Sequence, residues 1–146
     1  MAYTNALSAY KETRIRTASQ GQLIVMLYEE TVRQLDKSLE LMGLNISGKK
    51  DPGRIETIGK GIVKARDIIT ELMVSLDFEQ GGEIAKNLFA LYTWFNKELL
   101  EAHIGMDIER IRTVRNMFNQ LRESWVNIAA KTNAEGRPAE GVNIAG

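Results

Sequence analysis

The chain has 146 residues, 44% of them hydrophobic and 26% charged, enough for one domain with a real core and too few for two. Nineteen basic residues balance nineteen acidic ones, so no clustered positive face points to a nucleic-acid ligand. Cysteine is absent, which excludes disulfide and thiolate chemistry, and no apolar run approaches the roughly 18 residues of a membrane span, so a cytoplasmic protein with no membrane insertion is expected.

Residues 1–18 read as a polar arm without helical or strand period, carrying isolated apolar anchors at Tyr3, Tyr10 and Ile15. Such an arm suits a strip lying across a groove. Ser19 then offers its hydroxyl to the orphan amides of a first turn, with Gln22 reaching back, and a helix is predicted from about Gln20 to Leu44. Its apolar positions Ile24, Leu27, Tyr28, Thr31, Leu35, Leu39 and Met42 recur at steps of three and four. The run from Leu23 to Tyr28 is apolar on more faces than a lone surface helix needs and has to be covered. Asn45 to Gly53 has the composition of a connecting loop.

A second helix is marked by Ile55, Ile58, Ile62, Ala65, Ile69, Leu72 and Leu76. Gly59 and Gly61 sit inside it at a cost of about 1 kcal/mol each relative to alanine, and two uses suit them. One is close helix packing, with Gly61 and Ala65 on one face. The other is a shallow place where a partner's backbone lies down. A turn over Asp77 to Gly82, ending in Gly81-Gly82, leads to a third helix carrying Ile84, Ala85, Leu88, Phe89, Leu91, Tyr92, Phe95, Leu99 and Ala102. These cover about 160° of the helix circumference, more than one shared core requires. Trp94 falls outside that arc, beside Lys97, Glu98 and Glu101, with a face left wet. It suits either boundary packing or a partner anchor, since tryptophan is enriched at binding hot spots.

Asp107 opens a fourth helix whose stripe is Ile111, Val114, Phe118, Leu121, Trp125 and Ile128. Arg110, Arg112, Arg115 and Arg122 interleave with Asp107, Glu109 and Glu123 and read as a solvated face. From Thr132 onward the composition is that of a flexible tail. The expectation is therefore an all-α chain, an antiparallel four-helix bundle over residues 19–132, with an N-terminal arm over 1–18 and a C-terminal tail over 133–146.

No catalytic site is expected. A di-metal carboxylate bundle needs inward Glu-x-x-His pairs, whereas His103 is the single histidine and Leu100 stands three before it. No Gly-x-Ser-x-Gly turn accompanies His103, which suits a helix C-terminus instead. Gly59-Lys60-Gly61 and Gly81-Gly82 match neither phosphate-binding fingerprint, and Glu29 and Glu30 diverge by about 100° on a helix. Neither metal nor cofactor is implied. What remains is excess apolar helix surface, an anchored arm and a neutral body, the ingredients of a protein that binds amphipathic helices.

Several runs carry a family resemblance. They are Ala9-Tyr10, Ile15-Arg16-Thr17-Ala18-Ser19 and Leu23-Ile24-Val25-Met26-Leu27-Tyr28, then Ala65-Arg66-Asp67-Ile68-Ile69 with Leu72 and Ser75-Leu76-Asp77. Gly81-Gly82-Glu83-Ile84-Ala85, Asn87-Leu88, Leu91-Tyr92 and Leu121-Arg122-Glu123-Ser124-Trp125 complete the order. The sequence resembles the flagellin-specific export chaperones, the FliS family. It departs from that pattern at Gln20-Gly21, where the family usually has proline, at Glu29-Glu30, and in a longer loop over 45–53. The resemblance implies a cytosolic bundle that holds the C-terminal segment of flagellin, prevents its polymerisation and delivers it to the flagellar type III export gate. It also implies that the arm with Tyr10 and Ile15 covers the groove in the free protein. The groove expected from these helices is built of Leu23, Leu27, Tyr28, Ile62, Ile69, Leu72, Leu88, Leu91, Tyr92, Trp94 and Phe95. A second use of the same apolar surplus is self-association in a structural homodimer.

Overall fold

Each of the three later helices begins at an aspartate that accepts the first free amides of its own turn. Asp51 accepts from Gly53 and Arg54 at 3.0 and 3.3 Å, Asp77 from Glu79 and Gln80 at 3.0 and 3.0 Å, and Asp107 from Glu109 and Arg110 at 3.1 and 3.3 Å. The computed structural model describes residues 20–44 and 51–134, with side chains as far as 127. Within these, α1 spans Gln20–Met42, α2 Pro52–Val74, α3 Phe78–Gly105 and α4 Ile108–Ala134. Pro52 occupies the first turn of α2, where its missing amide hydrogen costs nothing. The arm with Tyr10 and Ile15, the Ser19 cap, residues 45–50 and the tail beyond Ala134 lie outside the described residues.

Two boundaries differ from the sequence expectation. α1 ends at Met42 rather than Leu44. The stretch expected as a turn over 77–82 is already helical from Phe78, because the Asp77 cap nucleates a turn there. The break is confined to Gly82, at φ 50° and ψ −125°, a conformation open to glycine at little cost, which re-aims the long remainder of α3. At the far end of α3 a non-glycine residue, Met106, takes the left-handed cap at φ 50° and ψ 48°.

Each helix packs antiparallel on its sequence neighbours and α4 closes the ring onto α1, giving the four-helix bundle. α1 is gripped more closely by α2 and α4 than α3 is by its neighbours. The close grip has a visible cause. A methyl group at Gly61 would lie 3.1 Å from the Gln34 carbonyl and collide with the Ser38 hydroxyl, and that hydroxyl donates to the Ile58 carbonyl at 2.9 Å. A methyl group at Gly59 would lie 2.8 Å from Nε2 of His103 on α3. Both glycines are buried within the bundle, so their use is close packing and not a resting place for a partner's backbone.

The α4 arginines are not simply a solvated face. Arg115 pairs with Asp36 of α1 at 2.7 Å, Arg122 approaches Glu29 of α1 at 3.8 Å, and Arg110 reaches Glu101 of α3 at 2.6 Å. Arg112 pairs within its own helix with Glu109. Among the described residues, no helix is long and apolar enough to cross a membrane.

Candidate functional site

The centre of the bundle is aromatic. Tyr28 on α1 meets Phe118 and Trp125 on α4 and Tyr92 on α3 edge-on, with ring centroids 4.9, 6.4 and 6.5 Å away. Phe95 and Phe118 pack at 5.0 Å. Buried hydroxyls need partners, and here they supply one another: the Trp125 indole donates to the Tyr28 hydroxyl at 3.0 Å, and the Tyr28 and Tyr92 hydroxyls bond directly. Burial raises the pKa of both tyrosines above the ordinary phenol value, and for Tyr92 the proximity of Tyr28 adds to the effect.

This cluster accounts for much of the groove expected from sequence. Leu23, Leu27, Tyr28, Ile62, Ile69, Leu72, Tyr92 and Phe95 are all buried, so they form the interior beneath any docking surface and not the surface itself. Leu88 and Leu91 are partly buried against that core. Trp94 is 39% exposed, and its ring lies tilted 5.7 Å from Phe95. Three of the expected residues thus remain within reach of a partner.

The apolar surface that does face solvent is elsewhere and unevenly distributed. No large hydrophobic residue is exposed on α1, nor on α4 as far as residue 127. On α2 the exposed ones are Ile55, Val63 and Val74; on α3 they are Phe78, Ile84, Phe89, Trp94, Leu100 and Ile104. Register places most of them along one seam. Asn96 of α3 donates to the Thr70 hydroxyl of α2 at 3.2 Å and to the Met73 sulfur at 3.9 Å, and His103 faces Gly59. At 100° per residue, Phe89, Leu100 and Ile104 fall on the Asn96 flank of α3, and Val63 and Val74 on the Thr70 flank of α2. From Val74 to Ile55 the seam runs about 28 Å along the α2 axis. Phe78 closes one end, its ring 5.8 Å from Phe89. On the opposite flank of α3, the side of Glu98 and its partner Arg110, lie Ile84, Leu91 and Trp94. α3 is therefore apolar on both flanks.

The apolar periodicity groups Phe89 with the wide arc of α3 and leaves out Val63, Val74, Phe78, Leu100 and Ile104. The available signal was their phase, since each is a large apolar residue off the buried stripe of α2 or α3. At the other end of the seam a pocket of about 190 Å³ is lined by Met42, Arg54, Ile55, Ile58, Met106 and Ile108. Arg54 there donates to the Leu44 carbonyl at 3.0 Å, satisfying the end of α1. Among the described residues no group of three or more acidic or histidine side chains is placed to hold a metal ion.

Similarity to known proteins agrees with this architecture. The family described as flagellar protein FliS matches residues 3–132. The flagellar secretion chaperone FliS of Salmonella typhimurium is 31% identical over 123 residues, 84% of this chain and 85% of the relative. That of Escherichia coli is 32% identical, covering 78% and 79%, and that of Bacillus subtilis 24% identical, covering 86% of each. A helical bundle with an apolar seam, matched over nearly its whole length by these proteins, belongs to the FliS family of flagellar secretion chaperones.

Proposed function

We propose that this chain is a cytoplasmic, non-enzymatic chaperone that holds the C-terminal segment of flagellin as helices along the two apolar flanks of α3, prevents its polymerisation and delivers it to the export gate. The observation that carries this reading is that, among the described residues, exposed large apolar side chains are confined to α2, α3 and the loop ends, with none on α1 or on α4 as far as residue 127. Apolar flanks of that kind on both sides of one helix suit amphipathic helices laid into grooves. Leu88, Leu91 and Trp94 contact the client directly, together with Phe89, Leu100 and Ile104. Leu23, Leu27, Tyr28, Ile62, Ile69, Leu72, Tyr92 and Phe95 act from below by fixing the spacing of the helices. The arm with Tyr10 and Ile15 covers part of the seam until the client displaces it.

Calorimetric titration with a peptide covering the C-terminal segment of the same organism's flagellin tests this. Submicromolar one-to-one binding with a large negative heat-capacity change is expected, the mark of apolar burial coupled to folding. Silence in that titration from a folded protein, with light scattering at twice the monomer mass, would assign the seam to a homodimer instead.

A further inference from the structure

Two buried polar atoms in the α2/α3 seam have no hydrogen-bond partner, the Nε of Arg66 and the Oδ1 of Asn96. They belong to residues joined by one hydroxyl. Thr70 donates to the Arg66 carbonyl at 3.0 Å and accepts from the Asn96 amide at 3.2 Å. That hydroxyl has one proton and spends it on Arg66, so it can only accept from Asn96. Asn96 must then turn its nitrogen to Thr70, which fixes the oxygen as the unpartnered atom. Flipping the amide would set two acceptors against each other.

The seam therefore holds an unused donor on α2 and an unused acceptor on α3, on the flank that carries Leu100 and Phe89. Both parent residues are only half-buried, so the two atoms sit just under the surface, where a side-chain shift uncovers them. Unpaired buried polar groups cost stability, and a partner that pairs both recovers it. The partner's chemistry follows from the pairing. A carboxylate would satisfy Arg66 but face the lone pairs of Asn96, and an ammonium would do the reverse. A hydroxyl can do both only through a single oxygen, whereas a carboxamide offers an acceptor and a donor on separate atoms in one plane, which suits groups that stand on two different helices. In a docked helix the backbone amides already bond within the helix, which leaves a glutamine or asparagine side chain.

We propose that Arg66 and Asn96 set the register of the docked helix by pairing with one side-chain carboxamide on its seam-facing side. This rests on the reading that a flagellin segment occupies the α2/α3 seam. Binding of the C-terminal flagellin peptide is measured for the parent protein, Arg66→Met, Asn96→Leu and the double variant, alongside peptides with each Gln or Asn changed singly to Met. One peptide position is expected to weaken binding to the parent about tenfold and to leave the double variant unaffected. The peptide substitutions leave the parent protein intact, so the loss on the parent is read whether or not either variant folds. If every amide substitution costs the parent less than about twofold while Leu100→Asp abolishes binding, the seam stands and the register pair is wrong. If Leu100→Asp binds like the parent, the docking surface itself is misplaced and this inference falls with it.

Discussion

The pair α1/α4 and the pair α2/α3 are built from similar amounts of apolar residue, yet they treat solvent differently. α1 and α4 spend their large side chains on the aromatic centre and join their outer faces by Arg115–Asp36 and Arg122–Glu29. α2 and α3 contribute as much to the interior, but leave Val63, Val74, Phe89, Leu100 and Ile104 outside, linked across the seam by the amide of Asn96. Both pairs build the core, but the exposed apolar surface lies with α2 and α3. One side is closed tightly enough that the other can keep a surface that would, alone, favour aggregation.

The comparison breaks first at its strongest point. Phe118, fully buried among Tyr28, Tyr92 and Phe95, should cost about 3–5 kcal/mol as Phe118→Ala in urea unfolding. Much less would mean that α4 does not anchor the core. Gly61→Ala should lose about 2 kcal/mol even though alanine is the better helix former, because the added methyl meets the Gln34 carbonyl and Ser38. A neutral or stabilising result would show that α1 and α2 are not held as closely as described.

The tyrosine pair gives a pH test. Burial holds both pKa values above the ordinary 10.0, so above pH 10 the unfolded chain releases protons that the folded chain keeps. Stability is fully present below pH 10 and falls above it, approaching about 1.4 kcal/mol per pH unit for Tyr92, with Tyr28 adding to the loss in the same direction. The Tyr28→Phe, Tyr92→Phe double variant should lack that added slope in denaturation curves taken between pH 9 and 11. Met106→Gly should raise stability by roughly 0.5–1 kcal/mol in the same assay, since glycine accepts the left-handed cap without strain. The smallest change in stability sharpens the contrast most. Ile104, 78% exposed, should tolerate Ile104→Ser within about 0.5 kcal/mol, yet the variant should bind the flagellin peptide measurably more weakly. Unchanged binding would remove that end of the seam from the docking surface.

The sequence alone determined the fold class and the four helices, with boundaries displaced by a few residues at the end of α1 and the start of α3. Apolar residues at steps of three and four, an aspartate at 107, and prolines outside the periodic stretches act locally, so they are legible without neighbours, whereas the caps at Asp51 and Asp77 emerged only in the structure. The excess width of α3 was legible for the same reason. What α3 does with that width was decided by tertiary structure. Periodicity says that Tyr92 and Phe95 share an apolar face of α3, and Ile62 and Ile69 one of α2, but not whether a neighbouring helix or solvent lies over each. Only the bundle shows the neighbours there, turning most of the expected groove into core and leaving Leu100 and Ile104 outside. The same holds for Gly61, whose need for a missing side chain is set by the Ser38 hydroxyl on another helix, and for Asn96, whose unpaired oxygen follows from the one proton of Thr70 on α2.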